Sequence, residues 1–291
     1  MNVDITGARI YWTIPILGGI PITETIVNTM LVTLFVIGMC IFLTRNLTVR
    51  AASKRQVVAE FLVETAQNFV NGNMGERFAY YGPFVAALFA SSILGSLLSL
   101  LGMFPPTSDL STTGAWALMV FVLITYTKIK TGGLGGYLKG FTQPIPILTP
   151  FNILSELATP ISMAFRHFGN VVSGSVISTL VYAALAAAST AVIGLLSGTV
   201  FIPVIAVLLG TALLGTAIRE GKMFKKFLGT IIIVLGVLGI LSYVGVQLDI
   251  PVLQVGIPAV LSVYFDLFSS AMQAFIFCML TTLYIANAAE E

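Results

Sequence analysis

Apolar residues fill this chain in stretches of about twenty, and the polar residues gather in short clusters between them. A bilayer core about 30 Å thick takes roughly 20 helical residues to cross, so each such stretch predicts a membrane span. Residues 23–44, 83–104, 198–217 and 227–246 qualify, and 113–127 is short unless the helix continues past Lys128. Two stretches, 151–196 and 256–288, are too long for a perpendicular crossing and predict long tilted or bent helices, with a kink expected at Pro160. Residues 53–70 have a different period. Val58, Leu62, Thr65 and Phe69 share one face while Lys54, Glu60, Glu64 and Gln67 fall largely on the other, which predicts an amphipathic helix lying on the cytoplasmic membrane surface. The glycine-rich TGGLGGYLKG at 131–140 lacks the spacing of a phosphate-binding loop and has no strand before it, so a flexible turn is expected there. The fold class is an all-α integral membrane protein, a single polytopic domain over 1–291 with an extra hairpin at about 197–250.

Composition sharpens this picture. Hydrophobic residues make up 57% of the chain and charged residues 9%, against roughly 25% charged in soluble domains. A net charge of +2 is too small for a nucleic-acid footprint, so lipid is the expected surrounding. Arg45, Arg50, Lys54, Arg55 and Arg77, then Lys128, Lys130 and Lys139, then Arg219, Lys222, Lys225 and Lys226 all fall on one side if the spans alternate. The positive-inside rule makes that side cytoplasmic. The N-terminus, the turn at 105–110 and the loop at 247–255 are then expected outside, with Glu290 and Glu291 inside. The opening MNVDITGARIYW has no basic run ahead of its first apolar stretch, so insertion is expected to use the internal helices. Cys40 and Cys278 lie inside apolar stretches without ligands at metal-binding spacing and read as packing residues.

The candidate chemistry lies in ionisable groups at membrane depth. A single histidine, His167, rules out a multi-histidine metal site, no nucleophile elbow occurs, and no cofactor is implied. Arg166, in LATPISMAFRHFGNVVSGSV, has apolar helix on both sides, where an arginine costs roughly 2.5 to 3.5 kcal/mol to insert. Such a residue either snorkels or pairs internally, or it serves as a charge that burial does not neutralise. At 100° per residue Ser162, Arg166, Asn170 and Ser173 form one polar stripe, whereas Ser175 points the opposite way, toward a neighbouring helix. On the last helix Asp266 and Gln273, seven apart, are expected to share a face. Gln273 alone is equally consistent with interhelical hydrogen bonding. A transporter with a midplane anion site would show an internal repeat, which is not found, and a membrane-embedded enzyme lacks a nucleophile with its base.

Arg166-His167-Phe168-Gly169-Asn170 resembles the signature of subunit a, the stator ion channel of bacterial F-type ATP synthases: an arginine, an apolar or histidine residue, then Phe-Gly-Asn. MQAFIFCMLTTLYIANA at 272–288 is similar to a second family segment. GIPITETIVNT at 19–29, FPPTSDLSTT at 104–113 and KGFTQPIPILTPFNILSELATP at 139–160 are similar to further landmarks in family order, with the likeness thinning over 197–250. The resemblance implies a non-catalytic, ion-translocating subunit of the bacterial plasma membrane. Its two long helices would face a ring of c subunits, and its other partners would be the b subunits of the peripheral stalk and, through them, the F1 ATPase. It implies that Arg166 separates two aqueous half-channels carrying protons or sodium ions, that Gln273 and Asn170 accompany it, and that Asp266 relays ions in the outer half-channel. Ser175 stands where relatives often carry an acid or histidine. Asp109 and Glu156 would line the outer entrance and the cytoplasmic exit, or be ordinary helix-end acids.

Overall fold

A computed structural model of the chain describes residues 7–15, 19–49, 53–244, 260–261 and 263–290. The predicted spans are helices: α1 (Glu24–Thr44), α3 (Gly82–Leu97), α4 (Leu110–Gly140), α5 (Thr149–Ser197), α6 (Phe201–Glu220), α7 (Met223–Tyr243) and α8 (Ser270–Ala288). Short 3-10 turns at Glu76–Tyr81 and Leu98–Leu101 extend α3 at both ends. A π-helical segment, Val263–Ser269, leads into α8. Among the described residues seven helices are long and apolar enough to cross a membrane. The expected loop at 247–255 lies outside the described residues.

Two features depart from the all-helical expectation or refine it. Before α1, β1 (Ile10–Ile14) and β2 (Ile20–Thr23) pair antiparallel, Trp12 opposite Ile22 and Ile14 opposite Ile20, in a small hairpin. Residues 131–140 do not form a loose turn but the end of α4, broken at Gly133, whose φ of 69° favours a residue without a side chain. The helix resumes beyond that break, so α4 does run past Lys128. Pro160 lies inside α5 without interrupting it. At 1.5 Å per residue α5 is about 70 Å long, more than twice a bilayer core, as the tilted-helix expectation requires.

The amphipathic helix is α2 (Lys54–Met74), capped by Ser53, whose Oγ accepts from the Gln56 amide. Its protein-facing residues are only in part those of the apolar face. Gln56, Val70 and Met74 are buried, while Val58, Leu62 and Thr65 are exposed and only Phe69 of the predicted face packs on the core. The Gln56 side chain donates to the Thr48 carbonyl at 2.8 Å and accepts from the Thr48 amide at 3.0 Å, fixing the chain after α1. A polar residue therefore holds the inward position that simple amphipathicity assigns to an apolar one.

The chain falls into two compact units, one comprising Thr6–Gly174 with Tyr264–Glu291 and the other Ser175–Val263. In the first, α8 packs against α2, α3 and α4. Its core joins Val70 and Met74 of α2, Val85 and Leu88 of α3, Val120 and Ile124 of α4, Met163 and Ala164 of α5, and Phe277 and Ile285 of α8. The second unit contains α6 and α7, joined at Gly221 and Lys222. These two helices touch backbone to backbone. A side chain at Gly236 would meet Val207 Cγ2 at 2.7 Å and the Pro203 carbonyl at 2.9 Å, and one at Gly210 would meet the Ile233 amide at 2.9 Å. Small residues permit this approach where lipid supplies little drive for apolar association.

Candidate functional site

Arg166 projects from α5 on the exposed face of the chain, together with Ser162, Asn170 and Ser173, so the polar stripe forms as its spacing predicts. Asn170 Nδ2 donates back to the Arg166 carbonyl at 2.9 Å. One step round the helix, His167 is 1% exposed. Arg166, His167 and Met163 share a narrow seam with Gln273, Ile276 and Phe277 of α8, which brings the arginine and the glutamine together. The seam has no room for a water molecule.

Asp266 and Gln273 lie in differently wound segments. Asp266 lies in the π-helical turn, whose wider winding breaks the seven-residue register, and its Oδ1 accepts from Ser99 Oγ at 3.2 Å. Nearby, a side chain at Gly174 of α5 would meet Phe265 at 3.2 Å, so α5 and this turn are in close contact. The same end of the unit gathers further polar groups. Asn28 Nδ2 donates to the Phe104 carbonyl at 2.8 Å, Glu24 Oε1 accepts from the Phe104 amide at 3.4 Å, and Ser96 Oγ lies 2.8 Å from Thr107 Oγ1. Asp109 caps α4, accepting from the Ser111 amide at 2.9 Å.

At the opposite end a cavity of about 780 Å³ opens between α4, α5 and α8, lined among others by Lys128, Tyr137, Lys139, Asn152, Glu156 and Asn287. Glu156 is the one carboxylate among the lining residues; it accepts from Tyr137 Oη at 3.2 Å and lies 3.9 Å from Lys128 Nζ. Both partners come from α4, one on each side of the Gly133 break, and the break lets that helix wrap the cavity. Along α5, Glu156 lies ten residues before Arg166 and Gly174 eight after it, about 15 Å and 12 Å at the helical rise. Two polar regions thus flank the arginine on opposite sides along one helix.

Ser175 belongs to the second unit; it is exposed and its carbonyl accepts from Thr179 Oγ1 at 2.8 Å. The sequence reading missed Ser92, Ser96 and Ser99. Their spacing of four and three residues places them on one face of α3 and its 3-10 extension, where they meet His167, Thr107 and Asp266 in turn. That spacing was the available signal. Tyr137 had none, because its reach to Glu156 depends on the break at Gly133.

Fold and site define a multi-pass membrane protein that presents an arginine on an exposed helix face, in a seam it shares with a glutamine of a neighbouring helix. The family profile described as ATP synthase A chain matches residues 26–218. The chain is 36% identical over 168 residues to ATP synthase subunit a of Moorella thermoacetica, covering 57% of this chain and 76% of the relative. It is 34% identical over 210 residues to ATP synthase subunit a 1 of Chlorobium luteolum, covering 70% and 94%, and 37% identical over 193 residues to ATP synthase subunit a 1 of Chlorobaculum parvum, covering 63% and 83%. The chain belongs to the ATP synthase A chain family, subunit a of the membrane sector of F-type ATP synthases. The profile match ends within α6.

Proposed function

We propose that this chain is the stator of a rotary ion path in a bacterial plasma membrane, conducting protons or sodium ions through two half-channels to and from the carboxylates of a c-subunit ring. The observation that carries this reading is Arg166 on an exposed face, beside Gln273 and between two separate polar regions. A guanidinium keeps its charge when desolvated. Opposite a passing ring carboxylate it favours the ionised form, and to an ion travelling straight between the half-channels it is an electrostatic barrier. Asp266 with Ser99 serves the outer half-channel as relay, and Asp109 stands at its mouth with one oxygen held by the helix cap. Glu156 and its cavity serve the cytoplasmic exit. Asn170 and Ser175 border the path along α5.

The basic clusters support an N-terminus outside and a C-terminus in the cytoplasm by the positive-inside rule, and the seven candidate spans among the described residues are consistent with that. The α6–α7 pair then crosses as a hairpin within one polytopic domain, its tip cytoplasmic. The exposed stripe around Arg166 faces the ring, and the b subunits of the peripheral stalk link this stator to the F1 ATPase without this chain itself catalysing a reaction. Purification of the chain from its membranes in mild detergent tests the reading. Ring, peripheral-stalk and F1 subunits are expected to accompany it, and Asn170→Cys is expected to cross-link to the ring subunit. A chain that purifies alone, with no ring cross-link, would overturn it.

A further inference from the structure

We infer that His167 is a positioning residue: its bond to Ser92 sets the rotation of α5 about its own axis and thereby aims Arg166. The inference rests on the proposed role of Arg166. His167 Nε2 lies 3.2 Å from Ser92 Oγ on α3, with both side chains 1% exposed. Its ring meets Phe277 of α8 edge-on at 5.6 Å between centroids and Trp116 of α4 at 6.0 Å. One side chain, adjacent in sequence to the arginine, therefore ties α5 to three other helices.

The contacts that seat α5 near this level include the seam with Gln273 and a set of buried apolar residues. Met163 and Ala164 are buried against the core, and contacts of that kind resist separation far more than rolling, because apolar attraction has no direction. A hydrogen bond has direction, and in a low-dielectric interior it is held strongly. A roll of about 20° at the 5 to 6 Å outer radius of a helix moves a side chain on the order of 2 Å. Misplacement of about 1 Å is already enough to upset a site that works by alignment. Packing alone would be met by an apolar residue of similar volume; what the imidazole adds at this position is a fixed angle. Ser92 is one end of the serine line that continues through Ser96 to Ser99. The face of α3 that contacts Asp266 is thus the same face that aims Arg166.

The test uses the complete synthase in inverted vesicles, carrying His167→Leu, Ser92→Ala, both together, or His167→Gln. Subunit content, ATP-driven ion pumping, and passive conductance after removal of F1 are measured. With assembly intact, His167→Leu is expected to lower pumping about fivefold, the population ratio for one lost neutral hydrogen bond, and to raise passive leak. Ser92→Ala should act in the same direction, the double variant should be no worse than His167→Leu, and His167→Gln should recover most of the loss. Additive losses, or losses that follow subunit content, would overturn the inference. If His167→Leu does not assemble, Ser92→Ala decides, and normal pumping there overturns it. A separate readout reports the helix itself. Met163→Cys and Leu280→Cys, on one seam, in a chain with Cys40 and Cys278 replaced, are expected to form a disulfide more slowly when His167→Leu is added. An unchanged rate would also overturn the inference. Arg166→Ala should leave that rate alone, so fully coupled activity in Arg166→Ala would remove the gate reading without touching the cross-link result.

Discussion

The two units solve the problem of packing helices in lipid by different means. In the unit that carries Arg166, helices are joined by side-chain hydrogen bonds across elements: Ser92 with His167, Ser99 with Asp266, Asn28 with the Phe104 carbonyl, Tyr137 with Glu156. In the α6–α7 hairpin, backbones meet at Gly210, Gly229 and Gly236, and charge is confined to the tip, where Glu220 bonds Lys222 at 3.0 Å and Lys225 at 2.8 Å. Polar bonds at membrane depth give angular precision, at the risk of a desolvated group when one partner is lost. Glycine contacts give close approach and tolerate no added atoms. The first arrangement suits a site that must hold a charge at a fixed angle; the second suits a scaffold.

The sharpest way to break this comparison is at the arginine. Arg166→Lys keeps the charge but loses the planar fork, and an ammonium can lose its proton when desolvated. Coupled ATP synthesis is expected to fall to background, and wild-type synthesis would mean that a simple positive charge suffices. Asp266→Asn comes next. It retains an oxygen for Ser99 but removes the titrating group, and ion flux through F1-stripped vesicles is expected to slow on the order of a hundredfold if a positioned relay is lost. Unchanged flux would make Asp266 a structural residue of the π turn.

In the hairpin the expected effect is on stability. Gly236→Val places atoms where Val207 and the Pro203 carbonyl stand, and overpacking of this kind costs about 1 to 3 kcal/mol. The midpoint of heat-induced loss of the detergent-solubilised complex should drop. Gly215→Ala, in open space on α6, should leave the midpoint unchanged or raise it. Equal midpoints for the two variants would show that the glycine contact does not hold the hairpin. Smallest is the effect of labelling. Lys222→Cys, with Cys40 and Cys278 replaced, should leave pumping intact and react with an impermeant thiol reagent only from the cytoplasmic side. Reaction from outside in intact cells would redraw this hairpin.

Much of this was legible in the residues. The spans followed from the length of apolar runs, the helices α6 and α7 from two of them separated by REGKMFKK, and the open polar stripe from the spacing of Ser162, Arg166, Asn170 and Ser173. The seam that Arg166 and Gln273 share accords with what the family likeness implies for two adjoining helices. What was not legible depended on departures from ideal geometry. The π turn at Val263–Ser269, within which Asp266 accepts from Ser99, has no signal in the residue spacing. The break at Gly133 turned an expected loop into a cavity wall, and α2 turned Gln56 inward because that side chain bonds the backbone at Thr48. The serine line on α3 was readable at its four-and-three spacing, yet serines in an apolar helix read as small packing residues until their partners are known.

The central claim concerns the fixed charge at position 166, and ATP synthesis driven by an imposed ion gradient across vesicles tests it most directly. Arg166→Ala is expected to leave the complex assembled with its full complement of subunits and to abolish synthesis, because nothing then prevents ions from passing between the two polar regions without turning the ring. Synthesis at the wild-type rate in that assembled variant would contradict the account.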